Sequence, residues 1–170
     1  AEAGIDISGM HIDPTVFTTL AFVTLDESGD RSFSFARKPG SDTMITFEEL
    51  KLSLIDEAKI FHFGTLSLTD EPSRTATQKA MANAKAQGKL ISLDPNLRKP
   101  LWPSETAAKD AIEWSLRQAD VVKISDEELP TVATALEMTV GDDHEKNAKA
   151  LAEKFPDLQL RMGTILAVTD

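Results

Sequence analysis

The sequence contains no cysteine, which excludes a disulfide framework and a thiolate metal site. It has no apolar run approaching the roughly 20 residues that a membrane-spanning helix needs. No basic, apolar leader opens it, so no secretory signal is legible and the cytoplasm is the expected compartment. Positive charge is scarce: 18 Lys and Arg stand against 28 Asp and Glu, a formal net charge of −10. Nucleic acid and anionic membranes both call for a basic patch, so neither is an expected partner. Glycine is sparse and scattered, at positions 4, 9, 29, 40, 64, 88, 141 and 163. That spacing excludes the glycine-rich phosphate loops of dinucleotide-binding and P-loop proteins. A Gly-x-Ser-x-Gly nucleophile elbow is missing as well. A dinucleotide oxidoreductase is thereby disfavoured.

What is present is the composition of an ordinary globular chain. The 170 residues are 41% hydrophobic and 27% charged, enough for a domain with a real core. The acidic residues are dispersed rather than gathered into a tail. An acidic protein binds phosphate through a few placed cations or helix N-termini. The chain starts at Ala1 and ends at Asp170, directly after an apolar run over 164–168 that reads as a strand. The expectation is therefore an internal piece of a longer protein.

Two grammars divide the chain. Phe17 to Ala36 is rich in strand formers around the turn cluster Asp26-Glu27-Ser28-Gly29-Asp30, and predicts a β-hairpin with a loop of about five residues. Phe33 and Phe35 alternate with Ser32 and Ser34, so one face of its second strand is aromatic. From Lys59 onward strands and helices alternate. Strands are predicted at 60–63, 90–93, 121–124 and 164–168. Helices are predicted at 72–87, 104–118, 126–137 and 143–154. Asp70 is the expected cap of the first of these helices and Gly88 its stop; Ser104 caps the second. Thr46 and Glu49 form a capping box that opens an earlier helix. Such alternation means βαβ units and a parallel sheet, its strands apolar on both faces. The fold class is α/β with a mainly parallel sheet plus a small hairpin.

In an open parallel sheet, ligands bind beyond the carboxyl ends of the strands. The residues following each predicted strand are polar. Asp94-Pro95-Asn96-Leu97-Arg98 offers an acceptor, an amide and a planar cation on one extended segment. An Asx-type turn, with Arg98 solvated or paired to Asp94, is the competing reading. Ser125 and Glu128 have the spacing of a capping box, and Glu128 also suits a hydrated magnesium ion. Lys123 sits inside an apolar strand, with its head in solvent or aimed at an anion over the rim. Arg37-Lys38-Pro39-Gly40 is either a solvated turn or a cationic edge of the hairpin. His62 reads as a core histidine, and Trp102 and Trp114 as core or interface. No His/Asp/Glu spacing suggests zinc.

Five segments in order carry a resemblance: 17–26, 33–40, 61–68, 93–102 and 122–129. Within them stand Phe35-Ala-Arg-Lys-Pro-Gly and Asp94-Pro-Asn-Leu-Arg-Lys-Pro-Leu-Trp. Together they resemble the middle of a fructokinase-like member of the ribokinase-like (PfkB) carbohydrate kinase family. The resemblance implies a three-layer α/β/α core, incomplete here, over 41–170, and a β lid over 15–40. It implies ATP- and Mg2+-dependent phosphorylation of a sugar hydroxyl. Fructose is the first choice; 2-keto-3-deoxygluconate and ribose are neighbours. It places Arg37 near the sugar, with Asp94, Asn96 and Arg98 lining the sugar and phosphate side. Lys123 would face the phosphates. Ser125 and Glu128 match the family's Asn-x-x-Glu motif, with Ser in place of Asn, and Glu128 would hold magnesium through water. The family's upstream Gly-Gly segment is missing from these residues. So is its downstream Gly-Ala-Gly-Asp, which supplies an anion hole and the general base. The fragment alone is therefore expected to be inactive. A homodimer through the lid is an arrangement the family offers. The alternative is a non-catalytic sugar-binding or regulatory domain derived from such a kinase.

Overall fold

The computed structural model describes residues 4, 6–29, 31–125, 128–139, 141, 143–155 and, as backbone, 159–162. β1 (Leu20–Leu25) and β2 (Arg31–Ala36) form an antiparallel hairpin. Leu25 pairs with Arg31, which leaves the five-residue connection that the turn cluster predicts. Asp26 closes this turn by accepting from the Ser28 amide and hydroxyl, and Gly29 takes a φ of +88°.

A short helix, α1 (Ser53–Glu57), leads into the main sheet. There β3 (Ile60–Gly64), β4 (Leu90–Asp94), β5 (Val121–Ile124) and β6 (Gln159–Met162) lie side by side in chain order, all parallel. Between them run α2 (Ser73–Ala86), α3 (Glu105–Gln118), α4 (Leu129–Ala135) and α5 (His144–Lys154). Because the strand order never reverses, right-handed connections place successive helices on one face of the sheet. Burial follows this. Ile91, Leu93, Val122 and Ile124 are fully buried with Ile112, Leu116, Leu129, Val132 and Leu151. Each such side chain contributes about 1.5–3 kcal/mol through removal from water. The alternate residues form the other face, where Ile60, His62, Leu90 and Lys123 are exposed among the described residues. His62 is thus not a core histidine. It lies on the open face, where its Nδ1 is 3.1 Å from Ser92 Oγ.

Helix ends follow the local chemistry with two corrections. Ser104 Oγ accepts from the Ala107 amide, Asp143 accepts from that of Lys146, and Gly88 ends α2 with a φ of +69°. At the start of α2, however, Pro72 holds the cap position. Asp70 contributes its carbonyl to the Arg74 amide, and its carboxylate faces Arg37. The Thr46–Glu49 pair forms as predicted but opens only a 3-10 turn, Phe47–Glu49, and not a longer helix. The strand predicted at 164–168 lies outside the described residues.

Candidate functional site

The carboxyl ends of β4 and β5 make a polar cleft. Asp94 is the last residue of β4, and the next residue's carbonyl is fixed by the Thr65 amide and hydroxyl from the segment after β3. Asn96 then adopts a left-handed conformation, φ +45°, which Asn tolerates better than most residues. The segment is therefore bent and not extended, and the bend still leaves Asp94, Asn96 and Arg98 on one cavity. That cavity, of 450 Å³, is lined by Asp94, Asn96, Arg98, Lys123, Ser125 and Glu128, with Leu97 and Thr131.

The charges in the cleft are paired in a defined way. Lys123 Nζ donates to Asp94 Oδ2 at 2.8 Å, and this carboxylate is the main reason the lysine pKa is raised. Ser125 Oγ accepts from the Glu128 amide at 3.1 Å, as a cap does. The Glu128 carboxylate does not return to complete the capping box. It crosses to accept from the Leu97 amide in the bent segment after β4. Burial is the main cause of the raised Glu128 pKa, with Asp94 adding to it; the Leu97 amide, Arg98 and Lys123 oppose it. Arg98 is half-buried and forms no ion pair with Asp94. Its guanidinium lies 5.2 Å from the centre of the Phe33 ring, which belongs to the hairpin.

Arg37 stands apart from this cleft. Only 7% exposed, it donates to Asp42, Thr69 and the Leu66 carbonyl, with Asp70 at 3.7 Å. Asp42 also accepts from Thr19, so one carboxylate holds both feet of the hairpin. Phe33 over Arg98, Thr65 under the β4 loop and the Asp42 staple were not foreseen from sequence. The aromatic alternation in β2 was the one signal pointing toward the first of them.

A divalent cation would meet two carboxylates here, Asp94 and Glu128, and no group of three ligating side chains occurs among the described residues. That donor set suits an ion held through water and through a ligand's phosphates, the habit of magnesium.

Comparison with known proteins agrees with this architecture. The profile of the pfkB family carbohydrate kinases matches residues 1–160. Fructokinase-2 of Solanum lycopersicum is 43% identical over 162 residues, 95% of this chain and 47% of that protein. The chain thus spans about half the length of the curated relatives it matches. The crystal structure of Xylella fastidiosa fructokinase with bound ATP superposes with a TM-score of 0.74 at 34% identity, over 95% of this chain and 48% of that one. Vibrio cholerae O395 fructokinase, bound to fructose, ADP and calcium ion, gives 0.75 at 27% identity, over 94% and 49%. The fold is the ribokinase-like α/β fold with its hairpin, and the chain belongs to the pfkB family of carbohydrate kinases.

Proposed function

We propose that this chain is part of an enzyme that transfers the terminal phosphoryl group of ATP to a hydroxyl of a sugar, with fructose the preferred acceptor. The observation that carries the reading is the convergence of Asp94, Asn96, Arg98, Lys123 and Glu128 on one cleft beneath an aromatic hairpin. Kinship with fructokinases supports the substrate, and so does the fructose held by the Vibrio cholerae relative. Asp94 and Asn96 supply the acceptors and donors that sugar hydroxyls require. Arg98 and Lys123 supply positive charge to the phosphate side, with Ser125 beside them. Arg37 serves the sugar side by fixing the hairpin over it. Glu128 holds Mg2+ through water, and the ion, when bound, neutralises phosphate charge. The general base and anion hole of the family lie outside these 170 residues, so the chain by itself binds without turnover. The two-part division, hairpin over 15–40 and core over 41–170, belongs to the same reading. So does a cytoplasmic location, where ATP is supplied.

The hairpin has a second proposed use. Leu20, Phe22 and Leu25 of β1 are all more than half exposed, an apolar edge that suits a homodimer through the lid.

The test compares this chain with a full-length protein containing it, each given ATP, Mg2+ and a panel of sugars. Fructose phosphate and ADP are expected from the full-length protein and not from the 170-residue chain. A full-length protein that phosphorylates no sugar would sink the reading.

A further inference from the structure

We propose that Phe33 is a positioning residue: its ring holds the Arg98 guanidinium over the cleft and leaves the guanidinium N–H donors available to a phosphoryl group or another bidentate anion. The inference rests on reading the cleft as a phosphoryl-transfer site and adds a specific task for the hairpin.

Three cations lie over aromatic rings among the described residues. Lys79 sits 5.5 Å from the Phe47 ring and also faces Glu48. Arg117 sits 5.5 Å from the Phe155 ring and also donates to Glu113. Arg98 sits closest to its ring, at 5.2 Å, and makes no hydrogen bond or close ion pair among the described residues, although its charge acts on the Glu128 carboxylate in the same cleft. A ring face attracts a guanidinium through its quadrupole and need not take up its N–H groups. The charge is thus held in place with its donors unused among the described residues.

The surroundings show why a ring is needed. Asp94 and Glu128 line the same cleft as Arg98, and either would neutralise a freely moving guanidinium. Asp94 is already engaged by Lys123, and Glu128 by the Leu97 amide. Phe33 is itself braced: it stacks on Phe35 with ring centres 6.3 Å apart and planes 10° apart. The period-two geometry of β2 sets both rings on one face. The foot of that strand is fixed by buried Arg37. A chain of contacts therefore runs from the anchored foot through two rings to a cation that makes no hydrogen bond among the described residues.

The experiment uses the 15N-labelled chain and inorganic phosphate as probe. The Arg98 Nε–Hε resonance, identified by its loss in Arg98→Lys, is expected to be displaced upfield by the ring. Phe33→Leu should abolish the displacement and weaken phosphate binding by about three- to tenfold. Phe33→Trp should retain both. Phe47→Leu, which removes the ring beneath Lys79, controls for general damage and should change neither. The proposal is overturned by an Arg98 resonance indifferent to Phe33→Leu, or by equal weakening in Phe47→Leu. It is overturned too if the unmodified chain binds no phosphate. A full-length protein that phosphorylates no sugar while these responses persist would defeat the fructokinase reading and leave this inference standing.

Discussion

Arg37 and Arg98 are the same residue type at two contacts between one hairpin and one core, and the protein uses them in opposite ways. At the foot of the hairpin, Arg37 is buried and its N–H groups are taken up by Asp42, Thr69 and the Leu66 carbonyl. Over the cleft, Arg98 touches a ring face and donates to nothing among the described residues. A guanidinium whose donors are taken inside the fold is a fastener. One held through its π face remains a binding group. Both regions are cationic in sequence, and only the fate of the donors separates them.

The comparison breaks most readily at the foot. Arg37→Ala is expected to cost about 2–4 kcal/mol, because it removes a buried charge-assisted network that joins two elements. A fall in the urea midpoint at unchanged slope checks this. Gly40→Ala should follow at about 1–3 kcal/mol, since an added Cβ would overlap the Thr19 hydroxyl and crowd Asp42. A Gly40→Ala protein of unchanged stability would show that the foot yields, and would weaken its role as an anchor.

At the cleft the expected stability effects are smaller and the binding effects larger. Burial raises the Glu128 pKa above the ordinary 4.5, so the folded state takes up this proton more readily than the unfolded chain. The contribution of Glu128 to stability is then greatest below the unfolded pKa and declines as pH rises through the folded one. Glu128→Gln keeps an oxygen for the Leu97 amide and removes the buried charge. It should raise Tm by about 1–3 °C at pH 7 and by nothing in acid, where the native carboxyl is already protonated. The same substitution should abolish any thermal shift produced by Mg2+. Arg98→Ala should change stability least, by under about 1 kcal/mol. It should nevertheless abolish phosphate binding, measured by calorimetry. If Arg98→Ala cost as much stability as Arg37→Ala, the distinction between fastener and binding group would collapse.

Much of the scaffold was legible residue by residue. The five-residue turn, the Ser104 cap, the Gly88 stop and the strands at 60, 90 and 121 all depend on local backbone chemistry that a short window contains. The cleft was legible as well, because strand ends in a parallel sheet must share a rim, and six of the proposed side chains do line one cavity. The placement of Arg37 was not legible, since a window around it reveals neither Thr69 nor Asp70. His62 misled for a related reason. Its two phenylalanine neighbours suggest a core, whereas strand parity turns it to the open face. The Thr46 box likewise specifies the start of a turn but not how far a helix continues.

The sequence by itself determined the order of elements, the breaks between them and the set of polar groups carried to the sheet rim, because each depends on neighbours within a turn or two of chain. Tertiary structure alone decided which cation is consumed and which stays available, which sheet face is covered, and that a hairpin ring meets Arg98. Those outcomes depend on partners distant in sequence, brought together only when the strands stack in order and the hairpin is fastened across them.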